Sequence, residues 1–361
     1  MPSESAAMPS SIHDAAAVEA MRKRLGLDPH RLRRLRTRLL KLQGSDEEAL
    51  QELPAAARDA FAAEIRFHEL TLDQRFDSQL DGASKLLFRT DDGLLLESVI
   101  LRVATGRTAL CVSSQVGCAA NCDFCATGKM GIARSLSAPQ ILDQVVQANQ
   151  LLKPEGRKVR NIVFMGMGEP FHNTAAVHET LEKLVSPHGF DQSPRRTLVS
   201  TVGLPSAMIA FARKFPKVNL ALSLHSAIQS RRTEIIPLAA KFDLKELRAA
   251  LDQVAAVQQQ SIMIEYLMLR GINDGPEDRA ALADYLRGLP VHINLIPYNR
   301  VDAAPHLEGT SKEDREAFGA ALRGEGYTVT IRYSLGADVD AACGQLVRRE
   351  NRRIAAAAAA Q

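Results

Sequence analysis

From about residue 108 the chain settles into one rhythm: a short apolar run, then ten to fifteen residues of helical pattern, again and again. The runs are TALCVSS, NIVFMG, RTLVST, VNLALSL, IMIEYLML and VHINLIP. Continuous apolar runs of this length suit strands buried on both faces, and their alternation with helices predicts a parallel sheet with helices outside. The helices carry start signals. Ser137 precedes APQILDQVVQANQLL, with Pro139 in its first turn, and Asp243 with Glu246 opens DLKELRAALDQVAAV as a variant capping box. Six such units fall short of the eight in a closed barrel. The expected fold is α/β, an incomplete parallel β/α barrel of about six strands, with an open doubly wound sheet as the alternative. A last helix (Ser311 to about Arg323) and a last strand, YTVTIRY, follow.

The flanks differ in texture. Residues 1–20 are rich in Ala and Ser and are expected to be disordered. Residues 21–104 form an expected accessory unit: helices first, then a hairpin over 85–103, whose two strands meet at Asp91-Asp92-Gly93. The core is expected over 105–346 and a low-complexity tail over 347–361. Net charge is only +3, but nine of the twenty residues from Arg22 to Lys41 are Lys or Arg. Leucines 25, 27, 32, 35, 39 and 40 recur there at helical spacing, so this is a basic helical face, either solvated or carrying RNA phosphates. No apolar run reaches a membrane span. No basic start leads into an apolar segment, so no secretory leader is expected. Five cysteines in 361 residues do not make a disulfide scaffold; a reducing cytoplasm, with thiols kept for metal or catalysis, fits better.

Polar or small residues follow the apolar runs: GMGEP, STVG, SLHS and PYN. In parallel α/β folds the site lies at the carboxyl ends of the strands, so these segments are expected to line one mouth, although Gly, Pro, Asn and Ser end strands in any protein. The cysteine-rich loop CVSSQVGCAANCDFCATG begins at the first of those ends. Cys118, Cys122 and Cys125 have the spacing C-x3-C-x2-C. A structural zinc would take four protein ligands. Here there is no second C-x2-C pair and no His within forty residues downstream. Three thiolates on an iron–sulfur cluster leave one iron open. Cys111 and Cys343 stand apart from this cluster. Either can be a buried structural thiol, yet Cys343 sits in the small, polar run DVDAACGQL, which suits an exposed reactive thiol.

The C-x3-C-x2-C spacing, with Phe124 before the last cysteine, resembles the radical S-adenosylmethionine (SAM) superfamily. Five motifs in order, CVSSQVGC, FMGMGEP, SLHS, INLIPYN and DVDAACGQL, resemble more narrowly the RNA adenine methyltransferases of the RlmN and Cfr type, from about residue 85 to 346. The resemblance implies a [4Fe-4S] cluster on Cys118, Cys122 and Cys125, and two SAM molecules per turnover. One methylates Cys343. The other, cleaved at the cluster, gives a radical that takes a hydrogen from the S-methyl group. The methylene radical then adds to adenine, and Cys111 resolves the protein–RNA adduct through a transient disulfide with Cys343. It implies Glu97 as proton acceptor, a carboxylate that by itself reads as part of a strand face. It implies SAM contacts from Gly168, Glu169, Ser200, Ser223, Leu224, His225 and Asn299; His225 alone could equally be a core histidine. It further implies an RNA substrate (ribosomal, with transfer RNA as a second), a flavodoxin or ferredoxin as electron donor, and a monomer. The accessory unit has the size and place of the family's RNA-binding domain.

CATGKMG, SPRRTLVSTVG and VNLALSLHS lean toward the type that methylates C8, and GMGEPFHN toward the type that methylates C2. The expectation is C2 of adenine in 23S ribosomal RNA. Two rivals are a radical-SAM enzyme on another substrate and a non-catalytic RNA-binding relic. The pair Cys111/Cys343 speaks against the first; all five cysteines together with Glu97 speak against the second.

Overall fold

The computed structural model describes residues 9–103 and 105–346; residues 1–8 and the expected tail 347–361 lie outside it. One ten-stranded sheet forms the centre. In chain order its strands are β1 (Thr71–Asp77), β2 (Ala83–Arg89), β3 (Leu95–Arg102), β4 (Thr108–Cys111), β5 (Asn161–Phe164), β6 (Thr197–Thr201), β7 (Asn219–Ser223), β8 (Ile262–Met268), β9 (Val291–Pro297) and β10 (Thr328–Ile331). Their order in the sheet is their order in the chain. A doubly wound sheet reverses at a switch point; this one does not, which decides for the partial barrel. β4 to β10 pair parallel throughout. That makes seven parallel strands among the described residues, because the last strand joins the ladder beside β9.

The caps expected from sequence form. Ser137 closes a capping box with Gln140 at the start of the Ala138–Leu152 helix. Asp243 accepts from the Glu246 amide at 2.7 Å.

The hairpin β2–β3 extends the same sheet. β1–β4 pair antiparallel, with Val99 of β3 opposite Cys111 of β4. The strand that ends at Arg102 pairs with the strand that begins at Thr108, so one sheet lies on both sides of the boundary the sequence suggested. The hairpin is buried on both faces: Leu86, Phe88, Leu96 and Ile100 are all fully buried. The outer strand β1 is largely exposed and carries Asp73, Arg75 and Asp77, charges that blunt a sheet edge.

Residues 10–24 are also regular, against the expected disorder through residue 20. Ser10–Ser11 pairs with Ile65–Arg66, and Ala15–Arg24 is a helix capped by Asp14. Ile12, Val18 and Met21 are buried; three apolar side chains on one side suffice, and the Ala/Ser-rich composition masked them. The basic segment forms the Pro29–Leu40 helix, with Leu32, Leu35, Leu39 and Leu40 buried. Many of its cations are partnered within the protein. Arg34 and Arg38 both pair with Glu52, Arg22 with Glu19, and Arg24 with Glu64.

A triad of His68, Asp46 and Asp143 is among the ionic contacts that tie the N-terminal helices to the core. His68 Nδ1 lies 2.7 Å from Asp143 Oδ1 and its Nε2 lies 2.9 Å from Asp46 Oδ1. Two carboxylates on the two ring nitrogens require an imidazolium. Burial alone would lower its pKa, but the bonds to Asp143 and Asp46 outweigh that and raise it to about 10.

Candidate active site

A cavity of about 850 Å³ opens at the carboxyl ends of the parallel strands, and all five cysteines line it. Cys111 ends β4, beside Val163 of β5. The chain then runs through Ser113 and Gln115 to Cys118, pressed against the GMGEP loop that follows β5. Two glycines permit that contact. A methyl group on Gly166 would lie 2.7 Å from Val112 O, and one on Gly168 would lie 2.6 Å from Gln115 Cβ. Gly168 also has φ +107°, a backbone that side chains rarely adopt. The loop fixes Glu169. Its Oε1 accepts from the Phe171 amide at 3.0 Å and its Oε2 from the Val202 amide at 2.9 Å. Burial raises its pKa to about 7.

Cys118 and Cys122 are buried and Cys125 is half-buried at the start of the Ala126–Met130 helix. Ile235, Leu267 and Ile296 belong to the same apolar cluster. Burial pushes Cys118 up to about 12 and raises Cys122 and Cys125 as well. Phe124 meets the His225 ring edge-on, with 4.8 Å between ring centres. His225 Nδ1 accepts from the Leu267 amide at 3.0 Å, which leaves its proton on Nε2. Burial lowers its pKa to about 3, so this ring is neutral. Ser200 and Ser223, at the ends of adjacent strands, stand 3.3 Å apart at their hydroxyl oxygens.

Cys343 is exposed toward the cavity, in a loop latched onto the cysteine segment. Gly344 O accepts from the Ala126 amide at 2.7 Å, and Thr127 Oγ1 donates to Leu346 O. Asn299 Nδ2 donates to Cys343 O at 3.0 Å.

The Radical SAM superfamily model matches residues 112–286. A probable RNA methyltransferase of Rhodopirellula baltica is 54% identical over 93% of this chain and 87% of its own length. A probable dual-specificity RNA methyltransferase RlmN of Thermus thermophilus is 41% identical over 83% of this chain and 84% of its own length. The crystal structure of a radical SAM methyltransferase from Sphaerobacter thermophilus superposes with a TM-score of 0.88 and 37% identity, covering 94% of this chain and 99% of that one.

The chain belongs to the RlmN family of radical SAM methyltransferases.

The superfamily implies a [4Fe-4S] cluster and SAM, and the thiols of this RlmN-family chain fit them. Three soft sulfur donors line one cavity beside apolar side chains. A thiol held protonated by burial becomes a thiolate beside iron, whose charge reverses the local preference. Among the described residues no three His, Cys, Asp or Glu side chains converge as the shell of one metal ion. Among the described residues no helix is long and apolar enough to cross a membrane.

The other expected site residues divide. Gly168, Glu169, Ser200, Ser223 and His225 line the cavity. Leu224 and Asn299 are not among its lining. The Leu224 side chain is core, its amide donates to Leu222 O at 2.9 Å and its carbonyl accepts from Arg232 Nε at 3.2 Å. Asn299 instead holds the Cys343 loop. Glu97 is buried just outside the lining, with Lys85 Nζ at 3.6 Å. It stands on the same face of β3 as Val99 and Leu101, which do line the cavity. Sequence reasoning missed Glu265 and Arg332, both in the lining. Glu265 was legible as a carboxylate inside the apolar run IMIEYLML, a costly burial that asks for a reason. Arg332 gave no such signal, because a charge at a strand end is ordinary.

Proposed function

We propose that this chain methylates a ring CH carbon of adenine, C2 by default, in 23S ribosomal RNA, with transfer RNA as a second substrate. The observation that carries the reading is the meeting of all five cysteines at one cavity. Three of them suit a cluster. The remaining two, Cys111 and Cys343, share one neighbouring cation, Arg332. Electrophilic methylation does not reach a ring CH carbon, and a second pair of thiols is what a carbon methylation through a protein thioether needs.

Cys118, Cys122 and Cys125 would hold three irons and leave the fourth open for SAM, with Gly168, Glu169, Ser200, Ser223 and His225 around it. When bound, the cluster and SAM supply a radical able to take a hydrogen atom from a methyl carbon. The chain's own residues do the rest. Cys343 accepts a methyl group from a first SAM and presents it; a second SAM serves the radical step. Once its methylene carbon is joined to the adenine, the C–S bond must break. The adduct must give up its unpaired electron, which the cluster would accept. Cys111 thiolate then attacks the Cys343 sulfur, the S–S bond forms as the C–S bond breaks, and the freed methylene carbon takes a proton to become the methyl group of the leaving adenine. Glu97 takes the proton from the adenine carbon, with Lys85 beside it to stabilise the carboxylate. A thiol reductant then returns the disulfide to two thiols by exchange for the next turnover, and a flavodoxin or ferredoxin is the electron donor to the cluster. The N-terminal helices serve as the RNA-binding accessory unit, and Tyr333, 72% exposed on the cavity lining, offers a ring for base stacking.

Two variants test this. Cys111→Ala is expected to accumulate a covalent protein–RNA adduct, visible as a shifted band that ribonuclease removes. Cys343→Ala is expected to give no adduct and no S-methyl group by mass spectrometry. Normal turnover by Cys111→Ala, without trapped RNA, would sink the two-thiol mechanism.

A further inference from the structure

The mechanism leaves one buried carboxylate of the cavity lining without a task. Glu265 is the charged residue of β8, and it is 2% exposed. Its Oε2 accepts from Asn294 Nδ2 at 2.7 Å, while Oε1 has no hydrogen-bond partner. A buried carboxylate oxygen without a donor is costly, and sites of this kind are completed by what enters them. Register sets Glu265 between Ser223 of β7 and Asn294 of β9, and it lines the cavity.

Its neighbours fix the part of the cavity it serves. Arg332 follows β10, where its amide donates to Leu295 O at 2.8 Å. Its guanidinium reaches Met165 Sδ, 3.8 Å away and just beyond β5. Met165 lies two residues past Val163, the strand partner of Cys111. The guanidinium thus crosses the mouth beside Cys111, and it is the charge neighbour shared by Glu265, Cys111 and Cys343. Glu169, the other buried carboxylate of the cavity lining, neighbours Cys118 and Cys122 instead. Both Glu169 oxygens are already taken by backbone amides. The cluster side therefore holds a satisfied carboxylate, and the Cys111/Cys343 side holds one with an acceptor to spare.

On the reading above, what enters between Cys111 and Cys343 is the target adenine. The base offers one hydrogen-bond donor, its exocyclic N6 amine, whereas guanine has a carbonyl oxygen at that position. Enzymes that act on an extruded base read such edges directly. We propose that Glu265 is the residue that selects adenine, accepting the N6–H on Oε1. A carbonyl oxygen there would face the carboxylate and be rejected.

The test compares two RNAs: a 23S fragment with adenosine at the modified position, and the same fragment with purine riboside there, which lacks only the amine. For the unvaried protein, kcat/KM on the purine RNA is expected to fall by roughly 10²-fold or more, as when a buried polar group is left unpaired. For Glu265→Ala the two RNAs should differ only a few-fold, and Glu265→Gln, which keeps an acceptor oxygen, should lie between. Because each ratio is taken within one variant, a general loss of stability cancels. An unchanged ratio in both variants overturns the assignment. So does Glu265→Ala protein that carries no S-methyl group on Cys343, which would make Glu265 a SAM ligand. If the unvaried protein methylates neither RNA, the adenine-methyltransferase reading itself falls, and this assignment with it.

Discussion

At Gly168 the backbone stands at φ +107°, and a methyl group would meet Gln115 Cβ at 2.6 Å and Gln115 N at 2.9 Å. Neither contact can yield without moving the segment that leads to Cys118. Gly168→Ala is therefore expected to cost about 1–3 kcal/mol, read as a lower denaturation midpoint against the unvaried protein. The cysteines make a prediction of the same scale. After anaerobic reconstitution, Cys122→Ala should lose the visible iron–sulfur absorbance, while Cys111→Ala and Cys343→Ala should keep it. Equal losses in all three would deny the division into three ligands and two thiols for methyl transfer.

Among the elements, the joint between the N-terminal helices and the Ala138–Leu152 helix is the one that pH should reach. Asp143 is fully buried and also accepts from the Glu69 and Leu70 amides at 2.7 and 2.9 Å. Without His68 it would keep those bonds but lose its cation, at a cost of about 3 kcal/mol. His68 has its pKa raised from 6.5 to about 10 by folding. A raised pKa means the folded state holds the proton more tightly, so the stability is fully present below about pH 6.5. It is lost as pH rises from there through about 10. The expected outcome is a melting temperature that declines over that window. His68→Ala should melt lower near neutral pH and lack this part of the decline. Parallel pH profiles for the two proteins would refute the role. No sequence pattern marks this contact, because His68 and Asp143 meet only once the helix is packed.

Across the whole molecule, the sheet ignores the boundary that composition suggested near residue 104. Leu86, Phe88, Leu96 and Ile100 belong to one continuous core with Leu110 and Ile162. A chain shortened to begin at residue 105 should therefore aggregate or lose its cooperative melt by circular dichroism. A soluble, two-state fragment would show that the hairpin is an appendage after all. By itself the sequence determined the alternating units, the helix caps, the cysteine spacing and the segments at the strand ends. All of these are local, set by side-chain periodicity, backbone preference and chain chemistry within a few residues. The tertiary structure decided what depends on distant pairings. It chose a partial barrel over a doubly wound sheet by strand order, and it continued that sheet into the hairpin. It turned Asn299 to the Cys343 carbonyl, kept Leu224 in the core, and brought Glu265 and Arg332 into the same cavity lining as Cys111 and Cys343. Those outcomes follow from burial and register between strands far apart in the chain, and no local pattern encodes which strand will lie beside which.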